Sequence, residues 1–122
     1  MRIELIVSET GRRGAEITAD GLGDLTIYKK RVTRHDATAF DARVRTLSEK
    51  IMAISKKLGK AKGAARDKLT EEMFDANAEF ICARVDGITP EQIAILDTSD
   101  VAELSMLAND LFKETFDAKK NV

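Results

Sequence analysis

The chain has one cysteine, one histidine, one proline and no tryptophan in 122 residues. A lone cysteine cannot build an internal disulfide framework and fits a reducing compartment. A lone histidine, His35, leaves no His pair for a metal site or an acid–base dyad. No apolar run approaches the roughly 18 residues that span a bilayer. The opening MRIELIVSETGRR has too short an apolar stretch, and too early an acid, for a secretory signal. Neither sign of charge dominates: 20 Lys and Arg stand against 21 Asp and Glu, with a pI near 5.9. A domain-wide basic character, the usual footprint of nucleic-acid binding, is missing. Aromatics make up only 5%, which leaves few rings for bases to stack on.

What is present describes a folded chain, because an apolar fraction of 43% can drive collapse while a charged fraction of 34% covers the surface. The length fits a single domain, 1–122. Charge is unevenly placed along it. Residues 1–63 hold 14 Lys and Arg against 8 Asp and Glu, a balance of +6, and residues 64–122 hold 6 against 13, a balance of −7. The halves can attract each other within one fold or pair head-to-tail between copies. Contact within one fold is the expectation.

The first third reads as strand. Ile3, Leu5 and Val7 alternate with Arg2, Glu4 and Ile6. A turn-prone stretch from Thr10 to Gly14 leads to a weaker run at Ala15–Ala19, where only Ile17 is a strong strand former. After a second turn at Gly21–Asp24, residues Leu25 to Val32 alternate again. These make a small antiparallel segment within 1–34, one that needs packing from elsewhere to be stable.

From Asp36 the period changes. Phe40, Val44, Leu47, Ile51, Ile54 and Leu58 are spaced 4, 3, 4, 3 and 4 residues apart. This 3.5-residue repeat predicts a long helix with one apolar seam, either an internal core or a self-association face. Thr33 or Asp36 can cap its start, and Gly59 offers a stop. A second long helix spans about Ala64 to Val85, with a wide apolar face that includes Leu69, Met73, Phe74, Phe80 and Ile81. That width predicts burial on more than one side. A Gly- and Lys-rich connector near 59–64 separates the two.

Thr89-Pro90-Glu91-Gln92 is a capping box with proline at the first helical position, and it starts a short helix. Asp97, Thr98 and Ser99 break the pattern and cap a last helix that carries Val101, Leu104, Leu107, Ala108, Leu111, Phe112 and Phe116. Ala118 to Val122 is expected to fray. The fold class is therefore mainly α with a small N-terminal antiparallel β segment, an α+β arrangement of two long helices, one short helix and a C-terminal helix. The helical region covers 36–118.

No catalytic constellation accompanies these elements. Cys82 sits inside an apolar helix with nothing basic placed to lower its pKa. Gly21-Leu22-Gly23 lacks the third glycine and following helix of a dinucleotide loop, and Gly59-Lys60-Ala61-Lys62-Gly63 lacks the phosphate-loop spacing. Asp97 and Asp100 do not alternate as a calcium loop requires, and they fit helix caps. The expectation is a protein without enzymatic activity, catalytic residues, metal or cofactor. Basic clusters at 29–34 and 56–62 leave a small nucleic-acid-binding regulator as the competing reading. The acidic pI and scarce aromatics favour a solvated charged face instead.

Two stretches resemble tail assembly chaperones of long-tailed bacteriophages. One is Val85-Asp86-Gly87-Ile88-Thr89-Pro90-Glu91-Gln92-Ile93-Ala94-Ile95-Leu96-Asp97-Thr98-Ser99-Asp100-Val101-Ala102-Glu103-Leu104, a capped short helix followed by Leu-Asp, a further Asp and an amphipathic helix. The other is the strand segment running through Tyr28-Lys29-Lys30-Arg31-Val32-Thr33-Arg34-His35-Asp36 into a helix. The Lys-rich connector at 56–68 has no counterpart in that pattern. The resemblance implies a non-enzymatic factor of the host bacterial cytoplasm that binds the tape measure protein. It shields that client until tail tube protein polymerises around it, and it is absent from the mature virion. It also implies that a longer form made by ribosomal frameshifting is common, and a homo-oligomer is compatible with it. A structural tail connector or completion protein is the related alternative.

Overall fold

The structure is a computed structural model and describes residues 1–113. Strands β1 (Arg2–Val7), β2 (Arg13–Ala19) and β3 (Gly23–Lys29) form an antiparallel meander. Helices α1 (Ala37–Leu58) and α2 (Ala64–Arg84) follow as a hairpin. A two-residue strand β4 (Val85–Asp86), a short helix α3 (Pro90–Ala94) and helix α4 (Thr98–Asp110) complete the order. The sheet runs β1-β2-β3-β4, all antiparallel, so the fold is α+β.

Register explains which face of the sheet is apolar. Ile3 lies opposite Ile17 and Leu5 opposite Ala15, while Ile17 and Ala15 face Leu25 and Ile27 across the other ladder. With period-2 alternation these side chains share one face. Ala15, Ile17 and Ile27 are fully covered there by the helices. The weak propensity of β2 did not prevent it from becoming the middle strand. Its alanines fall where helices approach closely, and the two neighbouring strands satisfy its backbone.

Several boundaries differ from the sequence reading: β2 begins at Arg13 and β3 at Gly23, inside stretches expected to turn, and α4 ends at Asp110, before Leu111 and Phe112 that the last helix was expected to carry. Strand β3 ends at Lys29 rather than Val32. Beyond it, the one backbone bond that Lys30 to Val32 donate among the described residues runs from the Lys30 N–H to the carbonyl of Arg84 at 2.9 Å. The fourth strand was not expected, because two residues carry no periodic signal. Tyr28 and Lys29 pair with Asp86 and Val85 to make it. Helix α2 consequently stops at Arg84, and Val85 is extended at φ −130° and ψ 152°.

The caps divide similarly. Asp36 occupies the N-cap of α1 but its side chain caps no helical amide. Its carboxylate instead accepts the Thr33 hydroxyl at 2.9 Å, and its own N–H donates to Thr33 Oγ1. Gly59 stays right-handed at φ −62°, so the chain reverses later, at Gly63 with φ +64°. The capping box of α3 is complete, with the Gln92 N–H donating to Thr89 Oγ1 at 3.2 Å and the Thr89 N–H donating to Gln92 Oε1 at 2.9 Å.

Asp97 caps α4 by accepting the Asp100 N–H at 2.8 Å and the Ser99 hydroxyl at 3.1 Å. The Asp100 amide, and after it the Ser99 hydroxyl, hold this carboxyl below the ordinary aspartate range. Because the folded value lies below the unfolded one, its contribution is present above about pH 3.9 and is lost as pH falls through the folded value. Asp97→Asn keeps a capping side chain but removes the titration. In urea melts at stepped pH, the substituted protein is expected to lose less stability below about pH 4 than the wild type. Parallel profiles would contradict that.

Helix α2 is covered on several sides, packing against α1, α3 and α4, which accounts for its wide apolar face. One core cluster joins the sheet face to Phe80 and Ile81 of α2, Ile93 of α3, and Leu104 and Leu107 of α4. Leu111, just beyond α4, is fully buried in the same cluster. Phe116 and the expected fray at 118–122 lie outside the described residues.

Candidate protein-docking site

The seam of α1 divides in two. Val44, Leu47 and Ile54 are buried within the single chain, on the helix that packs along α2. Phe40, Ile51 and Leu58 remain partly exposed and form the walls of two clefts. The seam is thus core at three positions and cleft lining at the other three.

The larger cleft, about 720 Å³, lies between α1, α2 and α3. Phe40, Phe74, Ala78, Cys82, Ala83, Pro90 and Ala94 supply its apolar lining, and Lys30, Arg43, Asp75 and Glu79 add charge to it. The smaller, about 380 Å³, lies where the far part of the helical hairpin meets the start of α4. Ile51, Leu58, Met73, Phe74, Val101 and Ala102 make it apolar, with Ser55, Thr70, Asn77 and Thr98 among its polar walls. Phe74 belongs to both. Small residues open these clefts: alanines at 78, 83, 94 and 102 leave space that larger side chains would fill. Met52, Ile95 and Met106 are exposed apolar side chains elsewhere on the surface, at 61%, 56% and 66%.

Cys82 lines the larger cleft, and its Sγ donates weakly to the Ile88 carbonyl at 3.8 Å. Burial pushes its thiol up, Lys30 pulls the other way, and Glu91 adds to the rise. The thiol therefore stays protonated at neutral pH and is a poor nucleophile. His35 is exposed just before α1. Among the described residues no three His, Cys, Asp or Glu side chains gather where they could hold a metal ion. No helix among them is long and apolar enough to cross a membrane.

The two basic clusters do not form one surface. Lys56 and Lys57 end α1 and Lys60 and Lys62 follow it, while Lys29, Lys30 and Arg31 precede its start. The 22 residues of α1 put about 33 Å between its ends. Lys29, Lys30 and Arg31 instead join Arg12, Arg13 and Lys113 around a cavity of about 700 Å³ that also includes Phe40, Asp41 and Phe112. Sequence reasoning missed Arg12, Arg13 and Lys113 as members, since only the folded sheet and the end of α4 bring them there.

Much of this charge is already engaged. Arg12 pairs with Asp86 and donates from Nε to the Lys29 carbonyl at 3.2 Å. Lys30 reaches Asp86 at 3.8 Å and the Cys82 carbonyl at 2.8 Å. Arg13 donates to the carbonyls of Leu111 and Lys113. Phe40 stacks on Phe112 with ring centroids 5.6 Å apart, and Lys29 Nζ and the Arg84 guanidinium each lie 4.7 Å from the Phe112 centroid. Arg84 also donates to Asn109 Oδ1, and burial lowers its pKa against the opposing pull of Asp41.

Compared with known proteins, the chain matches no family model, no curated protein and no solved structure. The chemistry of the clefts therefore has to carry the functional reading.

Of the four ion pairs among the described residues, three join residues 1–63 to residues 64–122: Arg12 and Lys30 with Asp86, and the N-terminus with Asp100 at 3.4 Å. The charged halves thus touch at two acids. Arg43, Arg45, Lys56 and Lys57 on α1 have no ion pair among the described residues.

Proposed function

We propose that the chain is a non-enzymatic assembly chaperone that shields an amphipathic helical segment of a larger protein. The observation that carries this reading is the pair of apolar clefts walled by Phe74 on the helical scaffold. Clefts of this kind, framed by helices, the larger rimmed with charge and the smaller with uncharged polar groups, suit the apolar stripe of a client helix. The Phe and Met side chains at their walls are large and, in methionine's case, adaptable, so a client of varied sequence can be accommodated. Resemblance to tail assembly chaperones gives the client a name, the tape measure protein, with tail tube protein as the later competitor. In that setting the protein works in the host bacterial cytoplasm and leaves before the virion is complete.

Co-expression tests it directly. A long-tailed phage tape measure protein co-expressed with this chain is expected to be recovered soluble, and in complex, only when the chain is present. Phe74→Glu places a charge in both clefts and is expected to weaken that complex at least tenfold, about 1.4 kcal/mol or more. The thermal melt of the free variant shows whether it still folds. A client equally soluble alone, or a folded Phe74→Glu protein that binds as well as wild type, would defeat the reading.

A further inference from the structure

We infer that the basic cavity beside the larger cleft receives an acidic end of the client helix, so that the helix binds with one fixed end toward the sheet. This rests on the docking role proposed above and adds the client's charge pattern to it. The cavity and the cleft share two walls, Lys30 and Phe40, so apolar trough and basic basin adjoin each other. Among the described residues, six cationic side chains line the basin and Asp41 is the one carboxylate with them. Asp86 offsets Arg12 and Lys30, and Asp110 offsets Lys113 at 2.7 Å. Lys29 and Arg31 have no ion pair among the described residues, and Arg31 is exposed. Among the described residues, positive charge therefore remains without a paired carboxylate beside an apolar trough. A helix with an aliphatic stripe and carboxylates at one end complements both parts at once.

The same geometry argues against a nucleic-acid strand. Sequence-tolerant binding of single strands depends on aromatic faces open to bases. Phe112 already has Phe40, Lys29 and Arg84 around its ring, and Arg12 lies 5.3 Å from the Tyr28 centroid. The adjoining trough is lined by Phe74, Ala78 and Ala83, which suit aliphatic side chains better than a sugar–phosphate backbone.

The test uses the full chain and a fluorescein-labelled synthetic amphipathic helix of about 20 residues, long enough to hold some helix in water. One peptide carries a leucine stripe and glutamates in its last turn, and its twin carries glutamines there. By fluorescence anisotropy at low salt the glutamate peptide is expected to bind about tenfold tighter, an advantage that fades toward 1 M salt as screening shortens to about 3 Å. Arg31→Glu, an exposed site without a described ion pair, is expected to erase most of that advantage and leave the glutamine peptide unchanged. If both peptides bind equally to the wild type, the acidic-end inference fails and the docking role stands. If neither binds, both fail together. An oligothymidylate that displaces the glutamate peptide at matching affinity overturns the inference in favour of nucleic acid.

Discussion

Gly87→Ala is expected to lower the unfolding free energy by about 3 kcal/mol, combining a backbone conformation that L-residues rarely adopt with a steric clash. Gly87 sits at φ +102°, at the turn that follows β4, and a Cβ built there meets the Thr26 carbonyl oxygen at 2.6 Å. That oxygen belongs to β3 and cannot swing away as a flexible side chain would. Gly63 provides the control, because it too has positive φ, +64°, but nothing lies within 4 Å of its added Cβ. Gly63→Ala carries only the conformational cost of φ +64° with ψ −138°, about 1–3 kcal/mol. Urea denaturation of both variants measures the difference. Equal losses would mean that the approach of the post-β4 turn to β3 is looser than described.

Leu104→Ala is expected to cost about 3 kcal/mol as well, through lost burial and the cavity left behind. Leu104 on α4 is fully buried and belongs to the cluster that unites the sheet with α2, α3 and α4. Domains of this size have net stabilities of about 5–15 kcal/mol, so one substitution removes a large share. The melting temperature should fall by roughly 10 °C or more. Met106, on the same helix, is 66% exposed, and Met106→Ala should change stability by no more than about 0.5 kcal/mol. Similar melts for the two variants would place α4 in a different rotation from the one described.

The parts of the fold that could be read from sequence are those whose cause is local. The seam from Phe40 to Leu58 declares α1 because six apolar residues keep one period. Thr89, Pro90 and Gln92 declare α3 because a capping box needs only four consecutive residues. Strand β4 was illegible because Val85 and Asp86 become strand only by meeting Lys29 and Tyr28. The end of α2 shifted with it.

The candidate site follows the same division. The partial exposure of Phe40, Ile51 and Leu58 was not readable, because the seam gives each residue the same apolar signature whether buried or on a cleft wall. What separates them is which neighbours stand opposite: Phe40 faces the gap between α2 and α3, and Ile51 and Leu58 the gap between α2 and α4. Pairing Arg12 with Lys113 around one cavity needs contact between the sheet and the end of α4, distant in sequence. The charge imbalance between halves was readable, yet only a few of its charges meet. Asp86 takes two of the cations, and the basic residues of α1 have no ion pair among the described residues.

Phe74 has one ring and stands in the walls of both clefts. If an occupant of one cleft turned that ring, the wall of the other would change with it. The two occupancies would then be linked, and the linkage would be mutual: whatever factor the first ligand imposed on the second, the second would impose on the first. A client that reached only one cleft would in that case tune the protein's grip on whatever approached the other.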